Sequence, residues 1–298
     1  MARLVERKDG VSLPRKHLDN GGLFALQEGM RPRPPVKWAG GKGGLIPQFE
    51  PLFPKRPWDL YIEPFVGGGA VFFHLASSLF FHLWPTRAVL IDNNEELINF
   101  YRVVRDNLEE LLVDLRKHEN TAEYYYRIRA LKPEELTPVE RASRFLYLNK
   151  TGYNGLWRVN SKGQHNVPFG RYKNPKVVDE PNLRLVSRAL ARAEILLGDF
   201  SLALNYARPG TFVYLDPPYH PLSETARFTS YTSDGFDVAD QIRLAKVFRE
   251  LDRKGCLVML SNSDTPFIRN LYAGYDIRVV YAKRAINCRG DGRGPITE

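Results

Sequence analysis

Short apolar runs that stop at a polar residue recur along the chain: Leu60-Tyr-Ile62, Ala88-Val-Leu-Ile91, Glu194-Ile-Leu-Leu197, Phe212-Val-Tyr-Leu215, Leu257-Val-Met-Leu260 and Ile277-Arg-Val-Val280. Runs this short, separated by helical stretches, predict buried strands of an α/β sheet that is mostly parallel. Ligands of such sheets sit at the carboxyl ends of the strands, so the residue after each run is the informative one. Ala70 to Trp84 reads as a buried helix. Between about residues 101 and 190 the strand rhythm is lost. Helical segments at Asn107 to Lys117 and Pro138 to Asn149 lead there into a stretch rich in Gly, Asn and aromatics. The pattern predicts a subdomain inserted into the sheet, spanning 101–189, with 35–100 and 190–298 forming one discontinuous domain around it. Residues 1–34, rich in Gly, Pro and charge and ending in Arg31-Pro-Arg-Pro-Pro35, predict a loosely packed extension.

Composition narrows the class. At 298 residues, 43% hydrophobic and 26% charged, the chain has the make-up of an ordinary globular protein. Its 43 Lys and Arg against 34 Asp and Glu leave a formal charge of +9, which attracts polyanions such as nucleic acid or acidic lipid. Cys256 and Cys288 form no CxxC pattern, so a disulfide framework and a cysteine-rich zinc site are excluded, and a reducing cytoplasm is the simplest home. No apolar run reaches the ~18 to 20 residues that span a bilayer, and MARLVERKDG lacks the apolar core of a secretory signal.

The residues at the predicted strand ends carry the candidate chemistry. Leu60-Tyr-Ile-Glu63-Pro-Phe65-Val-Gly67-Gly-Gly69 is a strand, an acid and a glycine turn entering a helix, an arrangement that lets backbone N–H groups approach a ligand. A dinucleotide fingerprint needs a further glycine at position 72, where Phe72 stands, so S-adenosylmethionine is favoured over NAD. A tight turn without ligand is the bland alternative. Asp92 closes the second run where an acid can accept ribose hydroxyls, and Asp199-Phe200 follows the third where they can hydrogen-bond and flank an adenine ring; both acids can equally be helix caps.

The sharpest signal is Asp216-Pro217-Pro218-Tyr219 after Phe212-Val-Tyr-Leu215. Two prolines hold the backbone in a fixed extended turn. An aromatic amine is a poor nucleophile because its lone pair is delocalised into the ring. Acceptors from Asp216 and the Pro217 carbonyl to its two hydrogens favour an attacking nitrogen, and Tyr219 can stack on the base. Residues 141–176 hold eight Lys or Arg and no Asp or Glu, where the chain average would place about four acids. Phe145, Tyr147, Tyr153, Trp157, Phe169 and Tyr172 are interleaved there, as in a nucleic-acid surface, although a solvated basic face beside core aromatics gives the same composition. Pro35-Val-Lys37-Trp38-Ala-Gly-Gly-Lys42-Gly43 is no P-loop, because Gly43 stands where Ser or Thr is required. Trp38 and Lys42 can instead stack near, and pair with, a cofactor's sulfonium and carboxylate ends.

Taken together, Lys37-Trp-Ala-Gly-Gly-Lys42, Glu63-Pro-Phe-Val-Gly-Gly-Gly69, Asp92-Asn, Leu146-Tyr-Leu-Asn149, Gly152-Tyr-Asn-Gly155, Asn166-Val-Pro-Phe-Gly-Arg-Tyr172, Asp216-Pro-Pro-Tyr219 and Pro221-Leu-Ser223 resemble the Dam-type (D12 class) adenine-N6 DNA methyltransferases, over about residues 35 to 290. The resemblance implies an α/β, Rossmann-like methyltransferase sheet with an inserted, mainly helical target-recognition subdomain carrying a hairpin loop. It implies S-adenosylmethionine held by Trp38, Lys42, Phe65, Asp92, Phe200 and Asp216, with Glu63, Gly67, Gly69 and Asp199 beside them, and a flipped adenine held by Asp216 to Tyr219. It implies duplex DNA, read through Lys37, Tyr153, Asn154, Leu156 and Arg158 and held by Arg171 and Tyr172, at the target GATC. A cognate restriction endonuclease is a possible functional partner under the same resemblance, and oligomeric state is left open. The chemistry needs no metal. Cytosine-C5 methylation, which uses a Pro-Cys nucleophile, is excluded because neither cysteine follows a proline. An N4-cytosine or RNA amino-methyltransferase, a catalytically silent DNA-binding module and a nicotinamide dehydrogenase are the rivals. Finally, the chain stops at Gly294-Pro-Ile-Thr-Glu298, where a last apolar strand pairing antiparallel with the sheet is expected.

Overall fold

A computed structural model of the chain describes residues 31–77, 87–222, 235–283 and 295–297. Five of the six predicted runs become parallel strands of one sheet: β1 (Leu60–Glu63), β2 (Arg87–Asp92), β3 (Ala193–Leu197), β4 (Phe212–Leu215) and β5 (Leu257–Leu260). Their spatial order is β3-β2-β1-β4-β5. β1 pairs with β2 through Ile62 opposite Val89, and with β4 through Ile62 opposite Val213. The chain therefore reverses its winding between β1 and β4, and a crevice opens there at the carboxyl ends.

The apolar runs are continuous because both faces of the sheet are covered. Tyr61, Leu90, Phe212 and Tyr214 pack into one core, while Leu60, Ile62, Val89, Ile91, Val213 and Leu215 pack into the other. The first core lies under α1 (Ile46–Phe49), α2 (Ala70–Leu75), α3 (Glu95–Asp106), α4 (Leu108–Leu115), α6 (Pro138–Thr151) and α7 (Glu180–Leu190), with α5 (Ala122–Ala130) packed on α6. The second lies under α8 (Ala203–Tyr206), α9 (Val238–Arg253) and α10 (Pro266–Leu271). Local signals set the helix starts. Asn94 caps α3 by accepting from Leu97 N–H. Thr137 and Glu140 form a reciprocal capping box at α6, with Pro138 in its first turn. Two α3 arginines reach the outer edge of β3: Arg102 donates to the Ile195 carbonyl at 2.8 and 3.0 Å, and Arg105 to the Ala193 carbonyl at 2.8 Å.

Three expectations change. Ile277–Val280 is not a strand; Ile277 and Val279 are exposed, and the extended segment begins at Tyr281. That strand, β6 (Tyr281–Lys283), pairs antiparallel with β7 (Pro295–Thr297) as a separate ribbon, so the expected antiparallel pairing exists but is not made to the five-stranded sheet. The helix expected over Ala70–Trp84 is described as Ala70–Leu75, and residues 78–86 lie outside the described residues. Residues 1–30, Ser223 and Cys288 also lie outside them. Among the described residues no helix is long and apolar enough to cross a membrane.

Candidate functional site

The carboxyl edge of the sheet gathers the acids that the strand-end rule selects, and each has specific partners. Glu63 ends β1 and is buried; its carboxylate accepts from the Tyr61 hydroxyl at 2.9 Å and from Phe72 N–H in the first turn of α2. Burial pushes its carboxyl well above the usual range, with Asp216 and Asp92 adding repulsion. Asp92 ends β2 and accepts from Gly67 N–H at 3.0 Å and Asn94 N–H at 2.9 Å. Its carboxylate thus tethers the glycine turn of β1 to the cap of α3, and its pKa is raised because burial outweighs those bonds. The turn is further fixed by the Tyr101 hydroxyl, which donates to the Gly67 carbonyl at 2.7 Å.

Two positions in that turn require glycine. Gly67 has φ +45°, and a Cβ there would lie 2.7 Å from Cδ1 of Trp38. Gly69 has φ +69°, and a Cβ there would lie 2.7 Å from Phe73. Trp38 therefore rests directly on the turn, with the Phe145 ring tilted against it at 6.3 Å between centroids.

Asp216 leaves β4 into the crevice. Lys42 meets it at 3.0 Å, with the two side chains 5% and 18% exposed. The ammonium also donates to the Gly40 carbonyl at 2.5 Å and sits 4.5 Å from the centroid of the Tyr219 ring. In this arrangement Lys42 is committed to Asp216. The Ser261 hydroxyl donates to Asp216 at 2.8 Å, and burial raises the carboxyl while Lys42 and Ser261 oppose that shift.

The proline turn is braced from behind. Gln241 of α9 donates to the Pro218 carbonyl at 2.8 Å and accepts from Asn262, which in turn accepts from His220 N–H at 3.1 Å. Ser263 donates to the His220 carbonyl. The brace residues Ser261, Asn262 and Ser263 follow β5 directly; the rule that singles out the residue after each run applies to them, but their types alone suggested no chemistry.

Asp199 and Phe200 fall at the same edge. The Asp199 carboxylate is engaged by Arg243 at 2.7 and 2.8 Å and caps its own turn through Ser201 N–H at 2.9 Å. These bonds hold its pKa down to about 2. The cap alternative is thus the arrangement seen. Phe200 is buried, stacked on Phe65 with centroids 5.3 Å apart, tilted against Phe236 at 5.9 Å, and covered by the Arg243 guanidinium at 4.1 Å. Phe236 and Arg243 went unnoticed in the sequence.

A second cluster stands on α6. Asn154 (φ +54°) and Arg171 (φ +55°) are the two non-glycine residues in the left-handed region among the described residues, and they flank one loop system. Asn154 N–H donates to the Tyr172 hydroxyl at 2.9 Å, and the Lys37 ammonium lies 4.6 Å from that ring. Tyr153, Asn154 and Arg158 are exposed and Leu156 is half-buried. Arg158 and Asn166 pair across a hairpin closed by Asn160 and Gln164, with Gly163 at φ +74° in its tip. Trp157 turns inward, 4.5 Å from both the Phe145 and the His165 rings, and so anchors the hairpin. Arg171 is exposed beside it.

A crevice lined with carboxyl groups beside an aromatic stack suits a ligand that carries hydrogen-bond donors and a flat ring, and the basic hairpin suits a polyanion. A family model described as D12 class N6 adenine-specific DNA methyltransferase matches residues 38–286. The chain is 46% identical over 274 residues to the type II methyltransferase M1.LlaDCHI of Lactococcus lactis subsp. cremoris, covering 89% of this chain and 93% of that protein. It is 45% identical over 281 residues to the type II methyltransferase M.MjaIII of Methanocaldococcus jannaschii, covering 89% and 96%. It is 36% identical over 267 residues to the DNA adenine methylase of Escherichia coli (strain K12), covering 88% and 92%.

Proposed function

Since the chain belongs to the D12 class of N6 adenine-specific DNA methyltransferases, we propose that it takes the methyl group of S-adenosylmethionine and places it on N6 of an adenine turned out of duplex DNA at GATC. The observation that carries this reading is the braced Asp216-Pro217-Pro218-Tyr219 turn with Lys42 paired to Asp216 at 3.0 Å, one strand away from the glycine turn.

The residues fit the donor. Gly67 and Gly69 keep side-chain bulk out of the turn, Trp38 covers it, and Glu63, Asp92 and Asp216 line the edge with carboxyl oxygens that can accept hydrogen bonds from the donor's polar groups. Phe65, Phe200 and Phe236 offer an aromatic wall for its ring. When bound, the donor would supply an electrophilic methyl on positively charged sulfur. Asp216 and the Pro217 carbonyl accept from the two N6 hydrogens of the adenine, which draws the nitrogen lone pair out of conjugation. Lys42 keeps Asp216 ionised so that it remains an acceptor, and the brace from Gln241 and Asn262 holds the turn against recoil. Tyr219 offers its ring to the base. The work is done mainly by positioning and by fixed charge.

Residues 101–189 act as the target-recognition subdomain of this reading. Tyr153, Asn154, Leu156 and Arg158 wedge and read bases, with Lys37 at the first guanine, while Arg171 and Tyr172 hold the backbone. Extrusion costs a few kcal/mol, which wedge and phosphate contacts offset. The similarity to two type II methyltransferases supports a modification role beside a restriction endonuclease in the cytoplasm. The test is a plasmid carried in cells expressing the chain, then digested with nucleases that are blocked by, or dependent on, adenine methylation at GATC. Protection and dependent cleavage are expected; cutting unchanged from an empty vector refutes the target.

A further inference from the structure

The segment leading to the crevice and the turn leading into the hairpin are joined by one fully buried side chain. Asn149 ends its run of α6 with 0% exposure. Its Oδ1 accepts from Lys37 N–H at 2.9 Å, and its Nδ2 donates to the Lys37 carbonyl at 2.8 Å and to the Gly155 carbonyl at 3.0 Å. One amide therefore pairs with both backbone groups of Lys37, as a neighbouring strand would, and spends its remaining N–H on the turn that follows Tyr153 and Asn154.

Both ends of this link lead to a site. On one side Lys37 precedes Trp38, which lies against Gly67 and Gly68, and Gly41 N–H closes a turn onto the Trp38 carbonyl at 3.2 Å before Lys42 reaches Asp216. On the other side the Lys37 chain lies flat on Gly155, where a Cβ would come within 2.3 Å of Lys37 Cδ. Asn182 of α7 grips Arg33 in the same two-point way, donating to its carbonyl at 3.0 Å and accepting its N–H at 2.9 Å, but it makes no bond to the turn. Asn182 thus anchors the same segment without joining the two sites.

Resting on the function proposed above, we propose that Asn149 is a positioning residue that couples the two sites, so that seating the methyl donor against Trp38 and Lys42 and seating DNA bases on the Tyr153–Leu156 turn strengthen each other. A displacement of either segment is passed through a rigid, fully bonded amide in a dry environment. The coupling is reciprocal by linkage, so either ligand can be used to read it.

The test measures the affinity of S-adenosylhomocysteine in the absence and presence of a short duplex carrying one GATC. In the wild-type chain the duplex is expected to tighten binding at least about fivefold. Asn149→Ala and Gly155→Ala, the second of which disturbs the contact of Lys37 with the turn while leaving the Asn149 side chain present, should bring that factor to within about twofold of unity, while Asn182→Ala keeps it. Discrimination between GATC and single-base variants in kcat/KM should fall with the factor. If Asn149→Ala does not fold, Gly155→Ala decides. A wild-type factor of one, a factor retained in both Asn149→Ala and Gly155→Ala, or a loss in Asn182→Ala as complete as in Asn149→Ala overturns the inference. A wild-type chain that binds neither probe refutes the proposed function itself and the inference with it, whereas coupling lost as expected in a chain that puts no label on adenine N6 refutes the proposed reaction alone.

Discussion

Replacing Lys42 by Met removes the cation from Asp216 while keeping the apolar stem. At 3.0 Å and an effective dielectric near 20 the attraction between the two charges is roughly 5–6 kcal/mol before desolvation is counted. Breaking one side of a buried pair costs about 3–5 kcal/mol. Asp216 keeps the Ser261 hydroxyl and can take up a proton, so the loss should lie near the low end, about 3 kcal/mol, or roughly 6–10 °C in melting temperature. The pH dependence identifies the cause. Burial already raises the Asp216 carboxyl above its ordinary 3.8, and Lys42 opposes that rise. Without Lys42 it climbs further, and the folded state then holds a proton that the unfolded chain has released. The variant's stability deficit should therefore grow as pH rises from the ordinary carboxylate range through the raised value, and be smaller in acid. Single-turnover transfer of tritiated methyl groups should show the matching change, with the acid limb of the rate profile moved to higher pH because a protonated Asp216 cannot accept from N6. A melting difference equal at pH 5 and pH 8, together with an unmoved acid limb, would show that Lys42 does not govern the charge on Asp216.

Three further outcomes are expected. Asp92→Ala frees Gly67 N–H and Asn94 N–H, so stability should drop by about 1–3 kcal/mol in urea melts and donor affinity should fall with it; unchanged donor affinity would separate the turn from the donor site. Trp157→Ala opens a void between Phe145 and His165 and should destabilise the protein by about 3–5 kcal/mol while relaxing base discrimination, read by denaturation and by competition with altered duplexes. Arg243→Ala breaks a half-exposed pair and should cost at most about 1 kcal/mol. The stability that this pair lends is present above the ordinary aspartate pKa and is lost as pH falls towards about 2, so the gap between variant and parent melts should close over that window.

The sheet strands were legible because β1, β4 and the middle of β2 are buried on both faces and read as unbroken apolar runs, while β3 and β5 are covered only in part yet stay largely apolar. Ile277–Val280 carries Arg278 inside the run; Ile277 and Val279 face solvent and Val280 alone packs into the core, and so short a run does not show how much of it the fold will cover. The acids at the strand ends were visible for the same topological reason. Their partners were not: Ser261, Asn262, Gln241 and Arg243 come from segments distant in sequence, and an amide or hydroxyl has no pattern of its own until the fold brings its acceptor near. Asp199 illustrates the limit, since one residue type serves a ligand or a turn equally and its partner Arg243 is brought to it only by the fold. That Trp157 turns inward and anchors the hairpin was not legible, because the sequence does not say which way a side chain turns.

The outer rim of β3 shows what this architecture does under stress. Carbonyls along such a rim invite a foreign extended chain to dock, but those of Ala193 and Ile195 are already covered by guanidinium groups from α3. The helix that guards the rim also carries Tyr101, which pins Gly67. Heat or denaturant that lifts this helix therefore uncovers a sticky border and dismantles the glycine turn in one event. Loss of turnover and the onset of clumping should begin together, and a preparation that has gone cloudy will not recover its activity on cooling.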